Sequence, residues 1–408
     1  MSEEKLVPKL RFSGFNDEWY EFKLNDISER ITRKNKKLET NRPLTISAQY
    51  GLVDQIEYFD KIVASDSLIN YYLLYNGEFA YNKSYSNGYP FGAVKRLDNY
   101  EHGAISTLYI CFKVTDKMNS DFLNEYFETD KWYKEIYKIA VEGARNHGLL
   151  NIAVGDFFNT KHILPTNPKE QEKLAKFFIE INRKIGLLEK KHQAFLDFKK
   201  YLMQQIFTQK LRFANFNKKW IKYQFKDLGI VKSGVGFSKK YQGHLNLDYN
   251  LYKVSDMNLK VNKKYMVKSN NTVDNFILKD MNTKLIEKPS IIFAKVGEAI
   301  FLNRKRIVIN PFLIDNNMMA FSPNNKVNLE FIYYLSLTIN FGKYAQIGAL
   351  PSYNASDIYS IKCEIPSIEE QEKISSILSL VDEKIDYIKS YINNIITFKK
   401  GLLQQMFV

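Results

Sequence analysis

Cysteine is close to absent: Cys111 and Cys363 are the only two among 408 residues. That count excludes a disulfide framework and a cysteine-based zinc site, and leaves each thiol as a small core residue. Histidine is almost as scarce. His102, His147, His162, His192 and His244 show neither metal-ligand spacing nor a neighbouring nucleophile, so no metal site is expected. No apolar run approaches the roughly 20 residues that a membrane helix requires, and the opening Met1-Ser2-Glu3-Glu4-Lys5 has no apolar signal core. A soluble, cytoplasmic protein with no membrane partner is the expectation.

Catalytic motifs are missing as well. Methylation of an adenine amino group uses an Asn/Asp-Pro-Pro-Tyr/Phe turn, and the nearest strings, Asn167-Pro168-Lys169-Glu170 and Asn310-Pro311-Phe312-Leu313, lack the second proline and read as structural turns. There is no Gly-x-x-x-x-Gly-Lys-Ser/Thr phosphate loop, and Gly234-Val235-Gly236 is a bare Gly-x-Gly. Acid and lysine clusters such as Asp382-Glu383-Lys384 fit a solvated helical face. These absences predict a chain that is not itself an enzyme.

What is present is positive charge. Lysine and arginine number 59 against 45 acids, for a net charge of +14 and a pI of about 9.3. Aromatic residues are also abundant, at 14%. Such a balance points to a polyanionic partner. A membrane surface would call for a basic amphipathic helix, and no clear one is found.

The chain also repeats itself. Leu10, Arg11, Phe12, Phe15, Asn16, Trp19, Asp26 and Ile27 return, 201 positions later, as Leu211, Arg212, Phe213, Phe216, Asn217, Trp220, Asp227 and Leu228. Gln171, Glu172 and Lys173 return as Gln371, Glu372 and Lys373, and Phe198, Lys199, Lys200, Leu202, Gln204, Gln205 and Phe207 as Phe398, Lys399, Lys400, Leu402, Gln404, Gln405 and Phe407, at an offset of 200. Flanks that are kept around a diverged interior describe one scaffold made twice with two different working surfaces.

Each copy reads as a mixed globular part followed by one long helix. In the first, the prolines of Pro165-Thr166-Asn167-Pro168 end a strand and set up the helix. A stripe then runs from Leu174 through Phe177, Phe178, Ile181, Ile185, Leu188, Phe195, Phe198 and Leu202 to Ile206. The second copy gives Ile374, Ile377, Leu378, Val381, Ile385, Ile388, Ile395, Phe398, Leu402 and Met406. A stripe sustained for about five heptads is a coiled-coil seam, and a helix of roughly 35 to 38 residues is a rod of about 55 Å. His192, where the second copy has Ile392, reads as a seam or partner-contact residue.

In the globular parts, 78–82, 107–112, 290–294 and 306–309 are strand-like, 86–90 is a turn, and helices are expected near Asn119-Ser120, carrying Phe122 to Trp132, and over 331–337. Both parts close with Asp156 or Asp357 and a short strand into Pro165 or Pro366. The fold class is α/β (α+β): two pseudo-twofold related globular domains separated by two long antiparallel coiled-coil helices. The expected boundaries are 1–165, 166–208, 209–366 and 367–408. The ends of the chain are expected to lie close together, as if a circle had been cut.

Duplicated globular parts, each followed by a Pro-x(4,5)-Glu-Gln-Glu-Lys helix that ends in Phe-Lys-Lys and Leu-x-Gln-Gln, resemble the DNA specificity subunit of type I restriction-modification systems. The Leu-Arg-Phe…Trp openings and the string Asn76 to Ser84 add to the likeness, which covers essentially the whole chain. The resemblance implies two target recognition domains, each reading one half of a split, asymmetric site in double-stranded DNA, with the paired helices setting the gap of unspecified bases. It implies two modification subunits docked on the helices, carrying S-adenosylmethionine and the adenine-methylating site. It also implies restriction subunits that use ATP and Mg, with no cofactor bound by this chain. A non-specific basic architectural protein is the alternative.

Candidate DNA contacts in the first domain are Lys83, Ser84, Tyr85 and Asn87 at a strand-to-turn junction, and Arg145, Asn146 and His147 in the Gly143 to Gly148 loop. In the second they are Lys239 and Lys240 after the Gly-rich loop, Lys295, which aligns with Lys83, and Arg304, Lys305 and Arg306. Basic side chains on loops suit phosphates, and Arg and Asn suit guanine and adenine edges. Candidate partner contacts are the kept helix residues Gln171, Glu172, Lys199, Lys200, Gln204, Gln371, Glu372, Lys399, Lys400 and Gln404.

Overall fold

The computed structural model describes residues 6–60, 67–86, 88–140, 150–346 and 350–408. The chain forms two compact units, one of residues 1–190 with 389–408 and the other of residues 191–388. The long helices span Pro168–Phe207 and Ile368–Met406, so each is divided between the units. Every unit holds one globular part, the first half of the helix that follows it, and the last half of the other long helix.

The first unit contains β1 (Tyr20–Lys23), β2 (Ser28–Arg30), β3 (Pro43–Ser47), β4 (Gly51–Asp54) and β5 (Tyr72–Tyr75). It continues with β6 (Phe79–Asn82), β7 (Ala93–Arg96), β8 (His102–Ile105), β9 (Ile110–Val114) and β10 (Lys161–Leu164). They form sheets ordered β2-β9-β6-β7 and β4-β3-β8-β5 and the ribbon β1-β10. The pleat divides β6 between two cores. Phe79 and Tyr81 enter one with Phe122, Tyr126, Phe178 and Phe407, while Ala80 enters the other with Leu44, Leu74, Ile105 and Cys111. Aromatic stacking runs between strands, from strand to helix and between helices: Phe79 lies 5.1 Å from Phe112, Tyr81 4.7 Å from Phe157, and Phe407 5.5 Å from Phe122.

The second unit contains β11 (Ile221–Gln224), β12 (Gly229–Ser233), β13 (Tyr249–Tyr252), β14 (Thr272–Val273) and β15 (Ser290–Ala294). It ends with β16 (Lys305–Val308), β17 (Phe312–Ile314), β18 (Met318–Pro323) and β19 (Lys362–Ile365). Their order, β12-β18-β15-β16, β14-β13-β17 and β11-β19, repeats that of the first unit except that β5 has no counterpart strand. The parallel pair β3·β8 returns as β13·β17, and the bridge Ile286↔Phe312 stands where β5 pairs with β8. Ile291 and Phe293 face the helix-side core and Ile292 the other, as on β6. Phe207 packs 5.6 Å from Phe331, the counterpart of Phe407 on Phe122.

The half-helices run antiparallel within each unit. In the first, Phe178 meets Phe407 at 5.8 Å and Lys184 lies 5.4 Å over the Tyr391 ring. In the second, Leu202 and Ile206 meet Ile374 and Ile377, and Lys199 pairs with Asp382 at 2.6 Å. One part of the expected seam is corrected: Phe198 and Phe398 are 47% and 62% exposed. Their positions lie outside the strip that the opposing half-helix covers. A second correction concerns the helix capped by Asn119, which ends at Tyr126; Trp132 instead caps a separate helix, Tyr133–Ile139.

The closed-circle expectation has a direct counterpart. Leu211 N donates to Gln205 O at 3.1 Å where the chain is continuous, and Leu10 N donates to Gln405 O at 2.9 Å where it is not. In the first unit the opening segment therefore sits on the end of the second long helix.

Candidate nucleic-acid interface

The residues kept in both copies hold each globular part on its helices. Arg11 grips Glu170 with Nε at 2.6 Å and Nη2 at 2.8 Å, and Trp19 Nε1 reaches the same carboxylate at 3.4 Å. In the second unit Arg212 grips Glu370 at 3.0 and 2.7 Å, with Trp220 Nε1 again at 3.4 Å. Both glutamates are 2% exposed. A two-point guanidinium–carboxylate pair fixes orientation as well as charge, and the bond to Glu170 raises the pKa of Arg11. The sequence marked these residues as kept, but contact between Arg11 and Glu170 was not legible from their spacing.

The candidate partner residues divide into inward and outward sets. Gln171 is buried, donating to Pro165 O at 2.8 Å and accepting from Asn119 N at 2.8 Å. Gln371 does the same with Pro366 O at 2.9 Å and Asn328 N at 2.8 Å. Lys399 pairs with Glu125 at 3.1 Å and Lys199 with Asp382 at 2.6 Å. These four are occupied within the chain. Glu172, Lys200, Gln204, Glu372, Lys400 and Gln404 are exposed, Glu172 with an ion pair to Lys176 at 2.5 Å. The exposed Phe198 and Phe398 accompany them.

The DNA candidates divide too. Lys83 and Lys295 directly follow the matched strands β6 and β15, and both are half-buried. Lys83 Nζ reaches Ile152 O at 3.5 Å, and Ser84 N donates to Asn82 Oδ1 at 3.0 Å. Tyr85 is 62% exposed. Lys239 and Lys240 are exposed, Lys240 pairing with Asp280 at 2.9 Å. Arg304 is exposed and donates to Asn258. Asn87, Arg145, Asn146 and His147 lie outside the described residues.

Lys305 and Arg306 turn inward. Lys305 is 1% exposed and donates to Ile339 O at 2.9 Å and to Asn303, with its Nζ 4.0 Å over the Phe341 ring. Burial pushes its pKa down to about 7. Arg306 is half-buried, its Nε donating to Asn262 O at 2.8 Å and its Nη1 to Lys305 O at 2.8 Å. In this fold both side chains bind backbone carbonyls. The charges of Lys305 and Arg306 suggested a surface, but their place on β16, beside the central strand β15, puts them within the packed layer.

Gly234 also has a structural explanation. A Cβ there would lie 1.8 Å from Asp315 O, so the bare Gly-x-Gly permits close backbone approach.

Residues 217–397 match the model of the type I restriction modification DNA specificity domain. The second globular part and most of the long helix after it thus carry a type I restriction-modification DNA specificity domain. The half outside that match repeats the same topology and the same Arg–Glu–Trp clamp. A curated relative, the type I restriction enzyme MjaIX specificity subunit of Methanocaldococcus jannaschii, is 22% identical over 173 residues, covering 41% of this chain and 39% of the relative's length. The S subunit from M. genitalium shares the fold at a TM-score of 0.55 and 16% identity, covering 98% of this chain and 99% of that one. A chain from a structure of type I R-M system assembly and conformational transition aligns at 0.57 and 10% identity, over 95% and 97%. The fold of these solved chains thus extends over both units. No described helix is long and apolar enough to cross a membrane.

Proposed function

We propose that the chain is the DNA-recognition subunit of a type I restriction-modification complex, with each globular part reading one half of a bipartite, asymmetric target. The carrying observation is the pair of units with matched strand order and identical Arg–Glu–Trp clamps but different loops. A scaffold built twice with two surfaces suits two half-sites, and joining two readers makes the second encounter intramolecular. Lys83, Ser84, Tyr85, Lys239, Lys240, Lys295 and Arg304 are the described candidates for the DNA surface. Their charges supply attraction to phosphates, and discrimination comes from a few groups at base edges. A uniformly basic architectural protein would need neither two different surfaces nor a duplicated clamp.

In this reading two modification subunits dock on the helices through groups that are exposed in both copies: Phe198 and Phe398, Lys200 and Lys400, Gln204 and Gln404. The modification subunits bring S-adenosylmethionine, and the restriction subunits ATP and Mg; this chain supplies recognition for methylation and cleavage and no catalysis. The long helices set the number of unspecified base pairs. A heptad adds about 10 Å of helix, close to the rise of about three base pairs. Inserting one heptad after Lys190 and one before Lys389, so that the antiparallel pairing is kept, is expected to lengthen the spacer of the methylated site by about three base pairs. Mapping methylated adenines in cells that carry the complete system reads this directly. An unchanged spacer sinks the spacing role.

A further inference from the structure

The helix that docks each globular part on the long helices carries one matched side chain six residues after its cap, and the two units differ there in charge. The caps are equivalent, since Asn119 N and Asn328 N each donate at 2.8 Å to the kept glutamine, Gln171 or Gln371. Counting from them matches Glu125 with Tyr334. Glu125 is 2% exposed, accepts from Asn182 Nδ2 at 2.7 Å and lies 3.1 Å from Lys399 Nζ. Tyr334 donates to Asp382 Oδ2 at 2.7 Å, and Lys199 pairs with Asp382 at 2.6 Å while its Nζ lies 5.6 Å from the Tyr334 ring centre. Asn182 and Asp382 are copies of one position, as are Lys199 and Lys399. The lysine is constant, whereas the acid sits on the globular helix in one unit and on the long helix in the other. Lys264 also touches Tyr334, but it has its own carboxylate, Glu330, at 3.1 Å.

We infer that Glu125–Asn182–Lys399 and Tyr334–Asp382–Lys199 are two different seating keys, so that each pair of half-helices accepts one globular part and rejects the other. On the second seat, the first part would set Glu125 against Asp382, giving two carboxylates for Lys199. On the first seat, the second part would leave Lys399 facing Tyr334 and Asn182, and the one carboxylate it brings nearby, Glu330, is already paired with Lys264. Either mismatch leaves an enclosed charge uncompensated, which is a repulsive basis for specificity. The order of the two globular parts along the chain is therefore fixed by packing, independently of what each part reads.

The test is a cycle of near-isosteric variants in the full chain, followed by thermal unfolding. Glu125→Gln strands Lys399, and Asn182→Asp crowds a second carboxylate beside it; each is expected to lower the melting temperature by about 5 °C. The double variant moves the acid to the long helix, as in the other unit, and is expected to melt within about 2 °C of the starting protein. Simple addition of the two losses overturns the key. A second arm exchanges residues 24–160 with 225–361 in the full chain. Adding Asn182→Asp and Asp382→Asn to that reversed chain is expected to raise its melting temperature by at least about 5 °C, and equal melting with and without them also overturns the proposal.

Discussion

Glu370→Ala is expected to lower the melting temperature of the chain by roughly 5–10 °C, corresponding to about 2–3 kcal/mol. The carboxylate is 2% exposed and receives Arg212 at two points together with Trp220 Nε1. Its loss leaves a guanidinium whose side chain is only 21% exposed without its partner, and an indole N–H without an acceptor. Breaking an enclosed pair costs more than the pair adds, because the remaining charge stays desolvated; the partial exposure of Arg212 keeps the loss at the lower end. Arg212→Ala is expected to cost less, and Arg212→Ala with Glu370→Ala little more than Glu370→Ala alone. Calorimetry of the full-length variants measures this. A loss below about 2 °C for Glu370→Ala would show that the clamp does not hold the globular part on its helices.

The second large effect is a loss of stability in acid that depends on His162. This ring is fully enclosed, and burial pushes its pKa down from 6.5 to about 4. Thr160 Oγ1 donates to Phe157 O at 2.6 Å, so it accepts from His162 Nε2 at 2.8 Å, and Nδ1 accepts from the Tyr126 hydroxyl at 3.0 Å. The neutral tautomer satisfies every group; a proton on Nδ1 would face a donor. Between pH 6.5 and 4 the unfolded chain binds a proton that the folded chain does not, so stability is full above about 6.5 and falls as the pH drops towards 4. The loss is expected to reach about 3 kcal/mol. His162→Gln is expected to flatten the profile across that window. The matched position on β19 is Cys363, which does not titrate there. A profile equally steep in the variant would assign the acid loss to other groups.

How much of this was legible in the sequence depended on the length and period of each signal. The stripes from Leu174 and Ile374 persist through helices of 40 and 39 residues, long enough for the helical period to dominate. β15 was legible over its full length because its apolar run is bounded by turn residues. Most other strands have three to five residues, and central ones such as the longer β18 are buried on both faces. They lack the polar alternation that would mark them, and their pairing is settled only by contacts distant in sequence. The kept residues were visible as kept, but not their role. Arg11, Trp19 and Glu170 meet across more than 150 positions, and Gln171 and Lys399 are used internally. Lys305 was misplaced for a related reason: sequence reports its charge, while tertiary packing decides that its ammonium is enclosed.

The central claim is that each globular part reads one half of the target by itself. The most direct measurement is to replace residues of about 30–160 with those of a relative of different specificity, in cells carrying the complete system, and to map every methylated adenine. The expected result is a new sequence in one half-site, with the other half-site and the spacer unchanged. Changes in both half-sites, or methylation without sequence preference, would contradict it.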